Sequence, residues 1–199
     1  PEEDKLRGMN NYQYANKYKL DHLPDNYDLK ELDKLAYEIG KESSQNNQFG
    51  FFDVKYEKDI GKNLKKFKNS RTKTTYTHSI EYSDLQLVLQ EFADLKMDPY
   101  FIFMPIENDW GDYTGQPRAE RDGVVKKLEH QLKSQGFNNY LFVDESKPYS
   151  HVDGAHGGRQ SWVEVDAVLN PFLMEPVNKN INYQMNDYFY SKEWQEEKI

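Results

Sequence analysis

Two short aromatic runs constrain this chain most: Tyr100-Phe-Ile-Phe-Met104 and Tyr140-Leu-Phe-Val-Asp144, each of strand length and each flanked by helical periodicity. A continuous apolar run of that size fits a strand buried inside a sheet. Before the first, Leu85, Val88, Leu89 and Phe92 share one helix face, with Ser83-Asp-Leu-Gln86 as its expected capping box. Between the runs, Pro117 suits the first turn of a helix that carries Val124, Val125, Leu128 and Leu132 and stops at Gly136. After the second, Trp162, Val165, Leu169 and Phe172 form another stripe, with Trp162 expected in the core. The order helix, strand, helix, strand, helix implies parallel strands joined by crossovers. The expected fold class is therefore α/β, a three-layer α/β/α arrangement around a mainly parallel sheet.

The earlier part is less regular. Asp28 precedes Leu29, Leu32, Leu35, Ala36 and Ile39, a helical stripe expected to end near Gly40. Residues 46–80 are polar, rich in Asn, Lys and Thr, and are expected to be irregular or weakly helical. A chain of 199 residues is best taken as a single domain, 1–199. Its net charge of −8 leaves no broad footprint for nucleic acid. The basic run Lys62–Lys68 is expected to be solvated. There are no cysteines, which excludes thiolate nucleophiles and Cys-based zinc sites. The longest apolar run, Tyr100–Ile106, is far short of the roughly 20 residues that span a bilayer. The chain opens Pro1-Glu-Glu-Asp without methionine, as expected of a portion of a longer protein.

In open α/β sheets, ligands sit beyond the carboxyl ends of the strands. Two loops leave strand ends here, Glu107–Gly115 and the glycine-rich stretch with Asp153 and His156, so both are expected on one rim. In Asp153-Gly-Ala-His156, one turn brings the carboxylate to Nδ1 and leaves Nε2 facing outward as a base. That is the orienting half of a nucleophile–base–acid triad. The bland alternative is a turn with a surface histidine. A third is a metal cluster of His151, Asp153 and His156, although no cysteine or obvious fourth ligand accompanies it; no metal or cofactor is expected. Trp110, Asp112 and Tyr113 are either rim residues touching substrate or packing that anchors the loop. His130 is expected on a solvated helix face, and His22 and His78 in loops. The aromatic tail from Asn178 is expected to pack back or to meet a partner.

Asp153-x-x-His156-x-Gly158-x-x-x-Trp162-Val-x-x-Asp166 resembles the closing motif of the DltD family, the D-alanyl transfer proteins of Gram-positive envelopes. A second block agrees: Pro105, Trp110 and Asp112-Tyr-Thr-Gly115, then a helix ending Gln131-Leu-x-Ser-x-Gly136-Phe137. A third is Leu32-Asp-Lys-Leu-Ala-Tyr-Glu-Ile-Gly-Lys41, with Asn46-Asn47 and Phe49-Gly50 soon after. The three lie in register over roughly Leu23 to Phe172.

The resemblance implies an SGNH-hydrolase-like (flavodoxin-like) fold and Ser-His-Asp acyl transfer or ester chemistry, with His156 as general base and Asp153 as its orienter. It implies D-alanylation of teichoic acid at the extracellular face of the membrane, with anchoring by an N-terminal helix. A D-alanyl donor, a D-alanyl carrier protein and a membrane O-acyltransferase are the implied partners. The family's Gly-Ser-Ser-Glu-like nucleophile turn has no counterpart here, and Ser43 and Ser44 are poor substitutes. This chain alone is therefore expected to be inactive and to correspond to the C-terminal part of such a protein. The alternative is a non-catalytic envelope module that binds carrier, membrane partner or polymer. Gly154, Ala155, Gly157 and Arg159 stand where the family usually has bulkier residues, and are expected to loosen the loop.

Overall fold

The computed structural model describes residues 28–176, 178 and 180–199; His22 and Leu23 lie outside the described residues. Asp28 starts the first helix, α1 (Leu29–Ser43), by accepting the Lys30 amide on its carboxylate at 2.8 Å. The helix does not end at Gly40. That glycine is interior and buried, because a Cβ there would lie 2.6 Å from the Tyr149 Cβ. After α1, Asn47 holds a tight turn: its side-chain oxygen accepts the amides of Phe49 and Phe51 at 3.1 and 3.0 Å. Residues 53–67 follow as short successive helical turns, one of them a π-turn over Tyr56–Ile60. This stretch is thus more helical than its polarity suggests.

Helix α2 (Glu81–Asp94) begins two residues before the expected capping box, and the Ser79 hydroxyl accepts the Glu81 amide at 3.2 Å. Ser83 lies inside the helix and instead accepts the Gln195 side-chain amide at 2.7 Å. Gln86, expected to reach back as a cap, is fully buried. Strands β1 (Phe101–Phe103) and β2 (Tyr140–Phe142) pair in parallel, Phe101 opposite Tyr140 and Phe103 opposite Phe142. Between them lie α3 (Asn108–Thr114) and α4 (Arg118–Lys133). The Glu107–Gly115 segment is thus mostly a helix and not an open loop. Helix α4 ends before Gly136, whose φ of +95° suits a residue without Cβ.

The molecule is therefore mixed α/β, with two short parallel strands among the described residues. On one face of the pair, Phe101, Phe103 and Tyr140 pack with Leu89 of α2, Leu132 of α4 and Phe137. Tyr100, on the alternate pleat, meets Phe172 of α5 (Arg159–Met174) at 5.1 Å between ring centroids. Helix α5 packs against α1. Trp162, expected in the core, is 59% exposed on α5. The strands are only partly buried, since the described sheet is two strands wide. The tail packs back, as its aromatics suggest: Tyr183 stacks on Phe137 at 3.9 Å, and Trp194 of α6 (Lys192–Glu196) is buried against Tyr82 and Phe189.

Candidate active site

The loop from β2 to α5 is pinched before it presents any side chain. His151 and Gly157 form an antiparallel bridge, and the Val152 amide donates to the His156 carbonyl at 2.9 Å. From outside, the Phe52 amide donates to the Val152 carbonyl at 3.1 Å. Within the pinch, one Asp153 oxygen accepts the amides of Ala155 and His156 at 3.0 and 2.9 Å, a local side-chain turn of the kind Asp favours. The His156 ring closes onto the same carboxylate, Nδ1 lying 2.8 and 2.9 Å from its two oxygens. An ionised carboxylate only accepts, so Nδ1 carries the proton. The lone pair of the neutral ring is then on Nε2.

Exposure divides the two roles. The Asp153 side chain is 20% exposed and the His156 side chain 77%. The acid is sheltered while the base faces solvent. Burial pushes the Asp153 carboxyl up, but donation from the Ala155 amide, the His156 ring and the His156 amide outweighs it. The group is held below the usual carboxylate range, so it is ionised at neutral pH.

His151 behaves differently. It is buried, and its Nε2–H donates to the Pro105 carbonyl at 2.8 Å. That leaves Nδ1 to accept the Ser150 hydroxyl at 2.9 Å. Burial pushes its pKa down, which favours this neutral form. With both nitrogens used, His151 is a pillar tying the loop to the end of β1, and it does not join Asp153 and His156 as a ligand. Among the described residues, no group of three or more His, Asp or Glu could hold a metal ion. The Ser150–His151 contact is also no nucleophile pair, for both side chains are buried and the second nitrogen faces a carbonyl. His130 and His78 are exposed.

The two rim segments do come together. The Glu107 amide donates to the Gly154 carbonyl at 3.3 Å, and the Glu107 carboxylate caps α3 by accepting the amides of Asp109 and Trp110 at 3.1 and 2.6 Å. Trp110 is 6% exposed and sits among Phe49, Phe51 and Ile60. Tyr113 packs beside it and donates its hydroxyl to the Leu64 carbonyl at 3.0 Å. Asp112 is more open and accepts from both Arg118 and Arg121. The Arg118 hydrogen bond chiefly, with Arg121, holds its carboxyl below the usual range. Trp110 and Tyr113 are thus placed as packing, and Asp112 as a paired carboxylate at the surface.

Three residues support the loop in ways the sequence does not announce: His151, weighed above only as a metal ligand, Gly154, expected to loosen the loop, and Glu107, given no role of its own. The residues favoured at a helix N-cap are Ser, Thr, Asp and Asn, so no local signal marks Glu107 as the cap of α3. Beside the loop, a groove of about 480 Å³ is lined by Phe103, Met104, Pro105, Phe142, Val125 and Leu128 among others. Met104 is shared: a Cβ on Gly157 would lie 2.5 Å from its methyl carbon.

The class these observations define is a mixed α/β protein that holds a hydrogen-bonded Asp153–His156 pair in the loop after a strand. The sequence model described as "DltD protein" matches residues 2–174, and the chain belongs to the DltD family. It is similar to Protein DltD of Lacticaseibacillus rhamnosus, 38% identical over 177 residues, which cover 88% of this chain and 42% of that protein. It is also similar to Protein DltD of Bacillus subtilis (strain 168), 34% identical over 143 residues, covering 71% of this chain and 36% of that protein. The chain thus spans about two fifths of the length of the curated relatives it matches.

Proposed function

We propose that Asp153 and His156 are the acid and base of a Ser-His-Asp acyl-transfer site, and that the protein works in D-alanylation of teichoic acid at the outer face of the Gram-positive membrane. One observation carries this proposal: the open His156 ring, with Nδ1 held by both oxygens of a sheltered Asp153. A serine from a part of the protein outside this chain attacks the D-alanyl carbonyl while His156 Nε2 takes its proton. Asp153 stabilises the imidazolium, which then protonates the leaving group. A polyol hydroxyl, activated by the same ring, accepts the acyl group in the second half of the cycle.

In this proposal the two strands belong to a larger, mainly parallel sheet of SGNH-hydrolase type with helices on both faces. Residues 1–199 form one domain at the C-terminal end of a longer, membrane-anchored protein. The D-alanyl carrier protein and a membrane O-acyltransferase are its partners. Of the rim residues, Asp112 bounds the substrate's approach, backed by Tyr113 and Trp110.

The other possibility is a non-catalytic envelope module. Fluorophosphonate labelling of the full-length protein, native and H156A, decides between them. Loss of general-base catalysis should slow labelling by roughly 10²–10⁴-fold. Equal labelling of the two folded proteins reduces the pair to a surface turn and leaves the module.

A further inference from the structure

We propose that Trp110 is a positioning residue for the Asp153–His156 pair, acting through a contact that only glycine permits at position 154. The inference rests on the proposed catalytic role of that pair. Its basis is distance. An ideal Cβ on Gly154 would lie 2.2 Å from the indole Cδ1, 2.3 Å from Nε1 and 2.9 Å from Cγ of Trp110. These are ring atoms of a buried side chain and not the far end of a flexible one. The backbone of the loop therefore rests directly on the edge of the indole, one residue after Asp153 and two before His156. Gly154 does not loosen the loop; it lets the loop be pressed against a fixed surface.

What fixes that surface is the part of the chain whose sequence says least. Phe49 and Phe51 meet the Trp110 indole edge-on at 5.3 and 5.8 Å, and Phe67 at 5.4 Å. Asn47 holds the two phenylalanines in their turn, donating its side-chain amide to the Phe51 carbonyl at 2.7 Å as well as accepting their amides. The same segment reaches the loop directly through the Phe52 amide on Val152. On the other side, Glu107 caps the helix that carries Trp110 and donates its own amide to Gly154. The loop is thus gripped by backbone hydrogen bonds on either side of Asp153 and floored by an aromatic ring between Asp153 and His156. A ring that is 77% exposed has little packing of its own to orient it. Its tautomer and direction come from Asp153, whose position comes from this floor.

The test uses the full-length protein with 15N-labelled histidine. The native protein should show a downfield Nδ1 proton for His156, assigned by its loss in D153N. G154A forces the loop and the indole apart. It should weaken or abolish that signal and slow His156-dependent fluorophosphonate labelling at least tenfold, with an unchanged far-ultraviolet spectrum. In the pair G154A/W110L, the leucine methyls can rotate off the contact, so the pair should recover part of the signal lost in G154A. Should G154A fail to fold, W110L alone answers the question, since removing the floor should broaden the same signal. An unchanged Nδ1 signal in folded G154A, or in W110L, overturns the proposal. If native and H156A proteins label equally, the catalytic role fails, yet the Nδ1 signal still decides whether Trp110 positions the ring.

Discussion

Asp153 and His156 lie three residues apart, and that separation made them legible in sequence. A carboxylate, two amides and a ring can meet within one turn without help from distant residues. Trp110 was ambiguous for the opposite reason: its contacts with Phe49, Phe67 and Gly154 span the chain, and no local spacing encodes them. His151 was misleading because a buried histidine hydrogen-bonded to a carbonyl has the same sequence signature as a ligand. The division of labour within the pair gives a sharp expectation. D153N keeps the shape but offers an amide that can present the wrong partner to Nδ1, so labelling of the full-length protein should fall about 10²-fold or more. D153N should also lower the melting temperature at pH 7.5, because the carboxylate that accepts the Ala155 and His156 amides is ionised and stabilising there. The pH sign is fixed too. A carboxyl held below its unfolded value of about 3.9 adds stability above that pH, and this is lost as pH falls through the folded value. Acid titrations of native and D153N proteins should therefore run parallel above about pH 4 and converge below it, as the native protein loses this contribution.

Helices announced by periodicity were found close to where their stripes fall: α1, α4 and α5 follow Leu32–Ile39, Val124–Leu132 and Val165–Phe172. The failures came where polar residues serve tertiary contacts. Ser83 and Gln86 match a capping box, yet Gln86 belongs to a buried cluster in which the side-chain amides of Gln131 and Gln135 donate to its carbonyl at 3.1 and 2.8 Å. Lys127 is the extreme case. Although charged, it is fully buried on α4, and its ammonium donates to the carbonyls of Thr77, Gln195 and Glu197 at 2.8, 3.1 and 3.0 Å. It also lies over the Tyr82 ring. The ammonium thereby clamps the C-terminal segment to α2 and α4. K127M should leave three carbonyls without their donor, costing on the order of 1–3 kcal/mol, since the lost charge burial offsets part of the penalty. Limited proteolysis should then cut within residues 187–199 first. Burial pushes the Lys127 pKa down to about 8. The unfolded chain, with a lysine value of about 10.4, binds more protons between those two values, so stability from this group rises with pH across that window. Urea midpoints should show this rise in the native protein and lose it in K127M; parallel curves would exclude Lys127 as its source.

The least legible feature at the scale of the whole molecule is which surfaces are covered in the intact protein. Two parallel strands of three residues each are too little sheet to stand alone, because parallel strands occur almost only with both faces packed and with neighbours to pair. The stripe on α5 was correctly identified as apolar, but Trp162 looked like core because periodicity reports one apolar face and not what lies against it. In the structure it lies open beside Leu35 of α1, which is 54% exposed, over a shallow groove lined by Leu32, Ala36, Ile39, Val165 and Leu169. Arg159 and Asp166 also line it, and an exposed, mostly apolar groove of this kind suits a contact surface. On the proposed reading of this chain as part of a longer protein, the remainder of that protein is the expected partner for it. Tryptophan emission can test this directly. Of the three tryptophans, Trp110 and Trp194 are buried, so in the 199-residue chain Trp162 should supply nearly all the iodide-quenchable signal, removed by W162F. In the full-length protein, the native-minus-W162F difference should resist quenching and shift to shorter wavelength. Equal quenching of that difference in both lengths would make the α1–α5 face a solvent face.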